Sequence, residues 1–305
     1  MKTLLKYPGS KWRIAEWILS YFPEHKVYLE PFFGSGALFF KKEPSYIETI
    51  NDLDGNIVNL FKVCRDYPEE LARAITLTPF SREEFQNCYQ LTDNPIENAR
   101  RCIVRYHQSF GTSNSSKNSW RNVQTYGGPR CATMWNDLPE VVQAVCQRIK
   151  EAQIENTDAL TLIERYNSQD TLIYCDPPYI QSIRKRNIYR VEMTDERHFE
   201  LLKILKNSKS KIILSGYDNP MYNKELSEWN TAEKATTAQM GLHRTEKIWM
   251  NFDYQMNLSF YNQYQVLYYL IYLFLKYLLQ IRLIQYHFLL VLFLHQYYNY
   301  ADIIV

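Results

Sequence analysis

Thr171-Leu172-Ile173-Tyr174-Cys175-Asp176-Pro177-Pro178-Tyr179 is the stretch that decides the fold. An apolar, β-branched run follows the polar turn Asn167-Ser168-Gln169-Asp170, which reads as a buried strand with an acid at its C-terminal end. The two prolines stop the strand and lack N–H donors, so the backbone leaves the sheet as a stiff arch with free carbonyls. An acid and a carbonyl together can accept two hydrogen bonds from one NH2 group, and a tyrosine can stack on the ring that bears it. The stretch therefore reads as a pocket for an amino-substituted planar base. An ordinary strand end with a proline turn is the competing reading.

Outward from that strand, the chain alternates strands and helices on both sides of an interruption. Val27-Tyr28-Leu29 reads as a strand, Glu30-Pro31-Phe32-Phe33-Gly34-Ser35-Gly36 as a turn, and Ala37-Leu38-Phe39-Phe40 as the start of a helix. Two glycines two apart let a ligand approach the backbone closely, although a third glycine that would indicate a pyrophosphate is missing. Tyr46 to Ile50 reads as the next strand, ending in Asn51-Asp52-Leu53-Asp54. An acid there suits ribose hydroxyls in a nucleoside-binding α/β fold, and helix capping is the other role open to Asp52 or Asp54. Near the N-terminus, Lys6-Tyr7-Pro8-Gly9-Ser10-Lys11 reads as a turn feeding a helix capped by Ser10, with Ile14, Trp17, Ile18 and Tyr21 on one face. Such a helix start, with Lys11 beside it, offers positive charge to an anion.

The alternation lapses between about residues 65 and 150, where short helical patterns run from Glu69 to Ile75 and from Arg82 to Tyr89. From Asn98 to Asn136 there is no acid, while Arg100, Arg101, Arg105, Lys117, Arg121 and Arg130 all fall inside. The middle of this stretch is rich in amides and hydroxyls, Asn114 among them, between Phe110 and Trp120. Basic groups neutralise phosphates and Asn, Gln and Arg read base edges, so the stretch reads as a nucleic-acid surface; a solvated Ser/Asn loop is the alternative. The α/β pattern then resumes. A strand is expected over Ile149 to Ile154, and Asp158 precedes a helix through Leu160, Leu162 and Ile163. A basic loop runs from Arg184 through Arg186 to Arg190. A helix starts at Thr194 with Phe199, Leu202 and Leu205 inward, and His198 near its start reads as structural. Lys211 to Tyr217 reads as a strand, and Arg244 to Asn251 alternates like an antiparallel edge or hairpin strand.

Composition narrows the class. The 305 residues carry a net charge of +2, too small to imply nucleic acid by itself. They suit one large α/β domain with an insert, or two domains. The six cysteines form no C-x-x-C pair, so reduced thiols in a cytoplasmic protein are expected and a metal site is not. No signal peptide is visible. From about Asp253 the chain changes character, with no Gly or Pro and a dominance of Tyr, Leu, Ile, Phe and Gln. Polar residues interrupt every window long enough to span a bilayer. The segment 253–305 reads as an aberrant hydrophobic tail, of the kind a frameshift into AT-rich DNA produces; a genuine hydrophobic anchor is the rival.

Taken in order, these motifs resemble the Dam-like, alpha-group, site-specific DNA adenine methyltransferases over roughly residues 4 to 252. The resemblance rests on residues 6–11, on Glu30 through Gly36, on Asn51-Asp52, on Asp176-Pro177-Pro178-Tyr179, on Leu214 through Pro220, and on Arg244 through Asn251. Ser10 departs from it, standing where the family commonly has a second glycine. The resemblance implies a Rossmann-like S-adenosylmethionine-dependent methyltransferase sheet with helices on both faces and an inserted, mainly helical target-recognition domain. The catalytic part would be 1–61 with 151–252, and the insert 62–150. It implies S-adenosylmethionine as cofactor, contacted by Tyr7, Lys11, Phe32, Gly34, Gly36, Asp52, Asp158 and Asp176. It implies Asp176, Pro177 and Tyr179 as catalytic residues acting on the N6 amino group of a flipped adenine, without a metal. Arg105, Asn114, Lys117, Arg121, Arg130, Arg184 and Arg186 would hold double-stranded DNA. The expected state is a cytoplasmic monomer with no membrane partner and with a restriction endonuclease of the same site as a partner. The alternatives are methylation of another amine (cytosine N4 or RNA) and a DNA-binding, catalytically impaired product of a damaged gene.

Overall fold

The computed structural model describes residues 1–90, 92–111, 117–122, 131–181, 187–237 and 243–254. The chain divides into two compact units, Met1–Gln255 and Met256–Val305, and every described residue belongs to the first. The expectations for Asn114, Arg130, Arg184, Arg186 and the tail from residue 255 lie outside the described residues.

The N-terminal turn leads into a single 3-10 turn, Lys11–Arg13, and a short helix α1, Ala15–Leu19. Ser10 does not cap it, because its hydroxyl is spent on Ser35, 2.8 Å away. Strand β1, Val27–Glu30, enters the glycine turn. The helix expected after that turn does not form. Residues 37–41 make only successive turns, with Phe40 N–H bonded to Gly36 O and Lys42 N–H to Leu38 O. Phe33, Phe39, Phe40 and Phe61 pack there as a cluster of tilted and edge-on rings, and Pro44 soon ends the run. Strand β2, Ile47–Asn51, follows, then α2, Gly55–Asp66, capped by Asp54 through Asn56 N–H.

The middle of the chain is helical. Helices α3 (Pro68–Thr76), α4 (Arg82–Asn87) and α5 (Pro95–Gln108) lead to a two-stranded hairpin, β3 (Ser109–Phe110) with β4 (Ser119–Trp120). Helices α6 (Cys131–Asn136) and α7 (Leu138–Ile149) follow. The strand expected from Ile149 begins later, as β5, Gln153–Glu155, because the apolar face of α7 (Leu138, Val141, Val142, Val145, Ile149) carries the helix through Ile149. Next come α8 (Ala159–Arg165), β6 (Thr171–Cys175), α9 (Asp195–Lys206), β7 (Lys211–Tyr217), α10 (Pro220–Glu225), β8 (Asn230–Thr237) and β9 (His243–Met250). Phe199 on α9 faces outward at 51% exposure, whereas Leu202 and Leu205 are buried as expected.

The seven-stranded sheet has the order β5-β2-β1-β6-β7-β9-β8. All pairs are parallel except those of β9, which runs antiparallel to both β7 and β8. β9 is therefore an interior strand of a hairpin, and β8 forms the edge. Alternation along the central strands splits the core in two. Tyr28, Ile50, Tyr174 and Ile213 join the layer that includes α2, α3, α5 and α7; Leu29, Ile173, Leu214 and Trp249 join α8 and α9 on the other face. All six cysteines are free and buried. Among the described residues no helix is long and apolar enough to cross a membrane, and no cluster of acids, histidines and cysteines could hold a metal.

Candidate active site

The C-terminal ends of β1, β2 and β6 open on a cleft of about 1000 Å3, where open parallel sheets place their ligands. Its walls come in large part from turns at the C-terminal ends of the strands and from the N-terminal turn. Tyr7, Gly9 and Lys11 line one side, Glu30, Phe32 and Gly34 a second, and Asp52, Asp158 and Asp176 close the rest.

The glycine turn is shaped by two residues of positive φ. Gly34 (φ 49°) lies under the Tyr7 ring, which a Cβ would meet at 2.9 Å. Gly36 (φ 63°) does not reach the cleft wall; a Cβ there would strike the Phe33 ring at 2.3 Å, so its service is to the aromatic cluster beneath the turn. The Gly34 N–H donates to Asp52 Oδ2 at 2.8 Å, and Asp54 N–H donates to Asp52 Oδ1 at 2.8 Å. Asp54, not Asp52, caps α2, and Asp52 stands in the cleft wall. Burial raises Asp52 to about 6 despite these N–H donors. With about four acceptor positions, the carboxylate keeps room for a hydroxyl beside its backbone donors. Asp158 caps α8 and is ion-paired with Arg197 at the cleft's far end.

Glu30, one residue of the glycine-turn motif, is a buried carboxyl in the cleft wall. Tyr28 donates to its Oε2 at 2.8 Å, and burial pushes its pKa up to about 8. Asp176 is held from behind. Lys11 Nζ donates to its Oδ1 at 2.6 Å, and the Ser215 hydroxyl donates to the same oxygen at 3.1 Å. Since Ser215 donates there, the Tyr174 hydroxyl at 2.8 Å must donate to Ser215. Among the described residues nothing donates to Asp176 Oδ2. Burial raises the Asp176 pKa, and the Lys11 ammonium opposes that shift. Burial would lower Lys11, but Asp176 and Glu246 raise it well above the ordinary lysine range, so it stays charged.

Pro177 and Tyr179 are buried behind the cleft lining, which takes Pro178 from this turn. The Tyr179 ring is stacked on Tyr217 with centroids 4.2 Å apart and planes at 17°, and Arg244 lies over the far ring at 4.8 Å. One face of Tyr179 is thus already covered by this chain. Tyr189 brings its hydroxyl to within 2.7 Å of where a Gly9 Cβ would stand. Tyr189, Tyr217, Ser215 and Glu246 lie in stretches named in the sequence but carry no site role there, because each owes its place to a segment far away along the chain. His198 is buried and bonded to Tyr222 at 2.8 Å, and it does not line the cleft.

The basic stretch behaves less uniformly than its charge suggests. Arg100 and Arg101 are both neutralised by Glu97, and Arg100 also by Glu84. Arg121 donates to Ser109 O at 3.0 Å and braces the β3–β4 hairpin. Arg105 is partly exposed on α5, and Lys117 is exposed with its ammonium 5.3 Å from the centre of the Tyr89 ring. Phe110 is 72% exposed at the hairpin, while Trp120 beside it is sheltered between Phe80 and Arg82.

Comparison with known proteins follows the same lines. A type II methyltransferase of Lactococcus lactis subsp. cremoris is 26% identical over 198 residues, covering 59% of this chain and 66% of its own. A DNA adenine methylase of Haemophilus influenzae is 25% identical over 189 residues, covering 58% and 64%. A retron DNA adenine methylase of Escherichia coli is 23% identical over 243 residues, covering 72% and 79%. The matches thus span just under two thirds of the length of the first two relatives. A family model described as D12 class N6 adenine-specific DNA methyltransferase matches residues 7–269, most of the chain, and the chain belongs to that family.

Proposed function

We propose that this chain transfers a methyl group from S-adenosylmethionine to the exocyclic N6 of adenine at a specific site in double-stranded DNA. The observation that carries the reading is Asp176, fixed through Oδ1 by Lys11 and Ser215 with Oδ2 unengaged, at the wall of the cleft. An amino group donating to that oxygen, and to the Pro177 carbonyl, is drawn toward tetrahedral geometry, which makes its lone pair more nucleophilic. The adenine reaches this depth by being flipped from the duplex.

The cleft fits the cofactor by charge as well as shape. Glu30 and Asp52 are carboxyls whose burial raises their pKa, and among the described residues neither forms an ion pair. S-adenosylmethionine, when bound, supplies an electrophilic methyl group on a sulfonium and carries an ammonium and two ribose hydroxyls. Glu30 would take the ammonium, Asp52 the hydroxyls, and Tyr7 and Phe32 the flat or apolar parts. Phe110, Arg105 and Lys117 present an aromatic and two cations for DNA. A cognate restriction endonuclease is part of the proposal, in keeping with the name type II methyltransferase carried by the Lactococcus relative.

The test is methyl transfer from labelled S-adenosylmethionine to unmethylated duplex DNA, with Asp176→Ala as control. Label recovered in N6-methyladenine and lost in the variant is the expected result. Label in cytosine, or in RNA offered in competition, would replace this reading by that of another amine methylase. No transfer by a chain that binds DNA would support the impaired product instead.

A further inference from the structure

One buried acid has no part in the steps above. Glu246 lies on β9 at 3% exposure, although its strand neighbours Arg244 and Lys247 are more exposed. Its Oε1 is 3.4 Å from Lys11 Nζ, the same nitrogen that sits 2.6 Å from Asp176 Oδ1. Lys11 also faces the Gly9 carbonyl at 3.1 Å and the Tyr179 hydroxyl at 3.2 Å. An ammonium has three N–H donors, and here they go to Asp176, Gly9 and Tyr179, which leaves the buried Glu246 Oε1 3.4 Å away without a hydrogen bond. Two carboxylates and one cation in a buried space leave an excess negative charge, which burial resists.

The groups around Glu246 come from four elements. Lys11 faces it from the N-terminal turn, and Asp176 and Tyr179 from the turn after β6. Its register neighbours are Tyr217 on β7 and Lys234 on β8, the latter with its ammonium 5.8 Å from the Trp17 ring. Burial pushes Glu246 up to about 7; Lys11 opposes the shift and Asp176 adds to it. It therefore changes charge in the neutral range, one lysine away from Asp176.

Methylation of an amino group liberates one proton, and the reading of the site as an adenine N6 methylase, on which this inference rests, requires that proton to leave through Asp176. We propose that Glu246 is a positioning residue that receives this proton by way of Lys11. The N6–CH3 bond forms as the C–S bond breaks with its electron pair kept by sulfur. The N6–H bond then breaks and its proton passes to the Asp176 carboxylate. The Asp176 carboxyl turns to present that proton to Lys11, while the Lys11 ammonium turns one N–H toward Glu246 Oε1, 3.4 Å away, and passes a proton on to it. Asp176 and Lys11 end as they began, and Glu246 holds the proton until it is released to solvent.

Single-turnover transfer to duplex DNA, followed from about pH 5.5 to about 8.5 in the full chain, tests this. The wild-type rate should fall about tenfold per unit below neutrality, as Glu246 arrives already protonated. Glu246→Gln should be slower at high pH by about tenfold or more and lose that pH dependence, while cofactor affinity changes by less than about threefold. Glu246→Asp should restore the slope. Independently of turnover, 13C-labelled glutamate side chains in the protein without cofactor should include one that titrates near neutrality and disappears in Glu246→Gln. A wild-type pH profile in Glu246→Gln, or a Glu246 signal titrating in the ordinary carboxyl range, overturns the inference while leaving the methylase reading intact. Absence of adenine methylation by the wild type removes both.

Discussion

Among the described residues, two lysines are buried against carboxylates, in opposite proportions. Lys42, at 7% exposure, shares Glu48 with Arg148, whose guanidinium meets both oxygens at 2.5 and 2.9 Å. Lys42 also reaches Glu43 O and Ser45 Oγ and lies over the Tyr28 ring. Two cations there hold one acid; burial alone would raise Glu48, but Arg148 and Lys42 together bring it below the ordinary range. Around Lys11 one cation holds two acids, and both Asp176 and Glu246 are raised. Excess positive charge fixes a carboxylate as an anion, which serves structure. Excess negative charge leaves carboxyls near their titration, which serves chemistry. The Lys42 cluster fastens α7 to β2; the Lys11 cluster fastens nothing so much as the orientation of one oxygen.

The contrast can be broken from either side. Asp176→Ala should cut methyl transfer by about 10³-fold or more with little change in melting temperature, read in the labelled-cofactor assay. Glu48→Gln should do the reverse. Stranding Arg148 and Lys42 should cost about 3–5 kcal/mol in urea unfolding, while transfer per folded molecule stays near wild type.

The two kinds of acid also give stability opposite slopes with pH. Glu48 is lowered on folding, so its contribution is present above its unfolded value near 4.5 and is lost as pH falls through the lower folded value. Glu30 is raised to about 8, so between about 4.5 and 8 the folded state keeps a proton that the unfolded state releases, and stability falls as pH rises. Glu30→Gln should therefore be more stable than wild type at pH 8 by a few kcal/mol, with no gain at about pH 4, in parallel denaturant titrations. The same variant should bind S-adenosylmethionine more weakly by calorimetry. The smallest effect is expected at the hairpin, where Phe110→Ala should weaken DNA binding by about tenfold or less and leave cofactor affinity unchanged.

What the sequence disclosed, and what it hid, follows from the range of the interactions involved. β6 and its acid were legible because an apolar run, an aspartate and two prolines state strand, site and stop within a few residues. Asp54 was legible as a helix cap because it acts within the next turn of chain, on the Asn56 N–H. The resemblance to adenine methyltransferases required only the order of such local words. Glu246 was not legible as a site residue. Within Arg244-Thr245-Glu246-Lys247 it looks like one more charge on a solvated strand, and only Lys11, brought from the other end of the chain, makes it a buried acid. The helix expected after Gly36 failed for a similar reason, since four phenylalanines chose their packing over the ladder. Ile149 was assigned to a strand because an apolar residue at the end of an amphipathic helix and one at the start of a strand look alike. Arg100 and Arg101 seemed unopposed because their partners lie outside the acid-free stretch, Glu97 at its border and Glu84 on α4.

β9 is among the last of the described elements in the chain, yet it is inserted between β7 and β8, and it carries Glu246 to a lysine at position 11. The Lys11–Asp176 contact already spans 165 residues. During synthesis, which proceeds from the N-terminus, β7 must therefore wait with one edge unpaired until residues 243–250 emerge from the ribosome. A nascent or truncated chain ending before them would expose that edge to other strands, and the loop closures involved make the final step slow. Quality control of this protein is thus tied to its chemistry: the segment that seals the sheet against aggregation is the one that completes the charge cluster at Lys11.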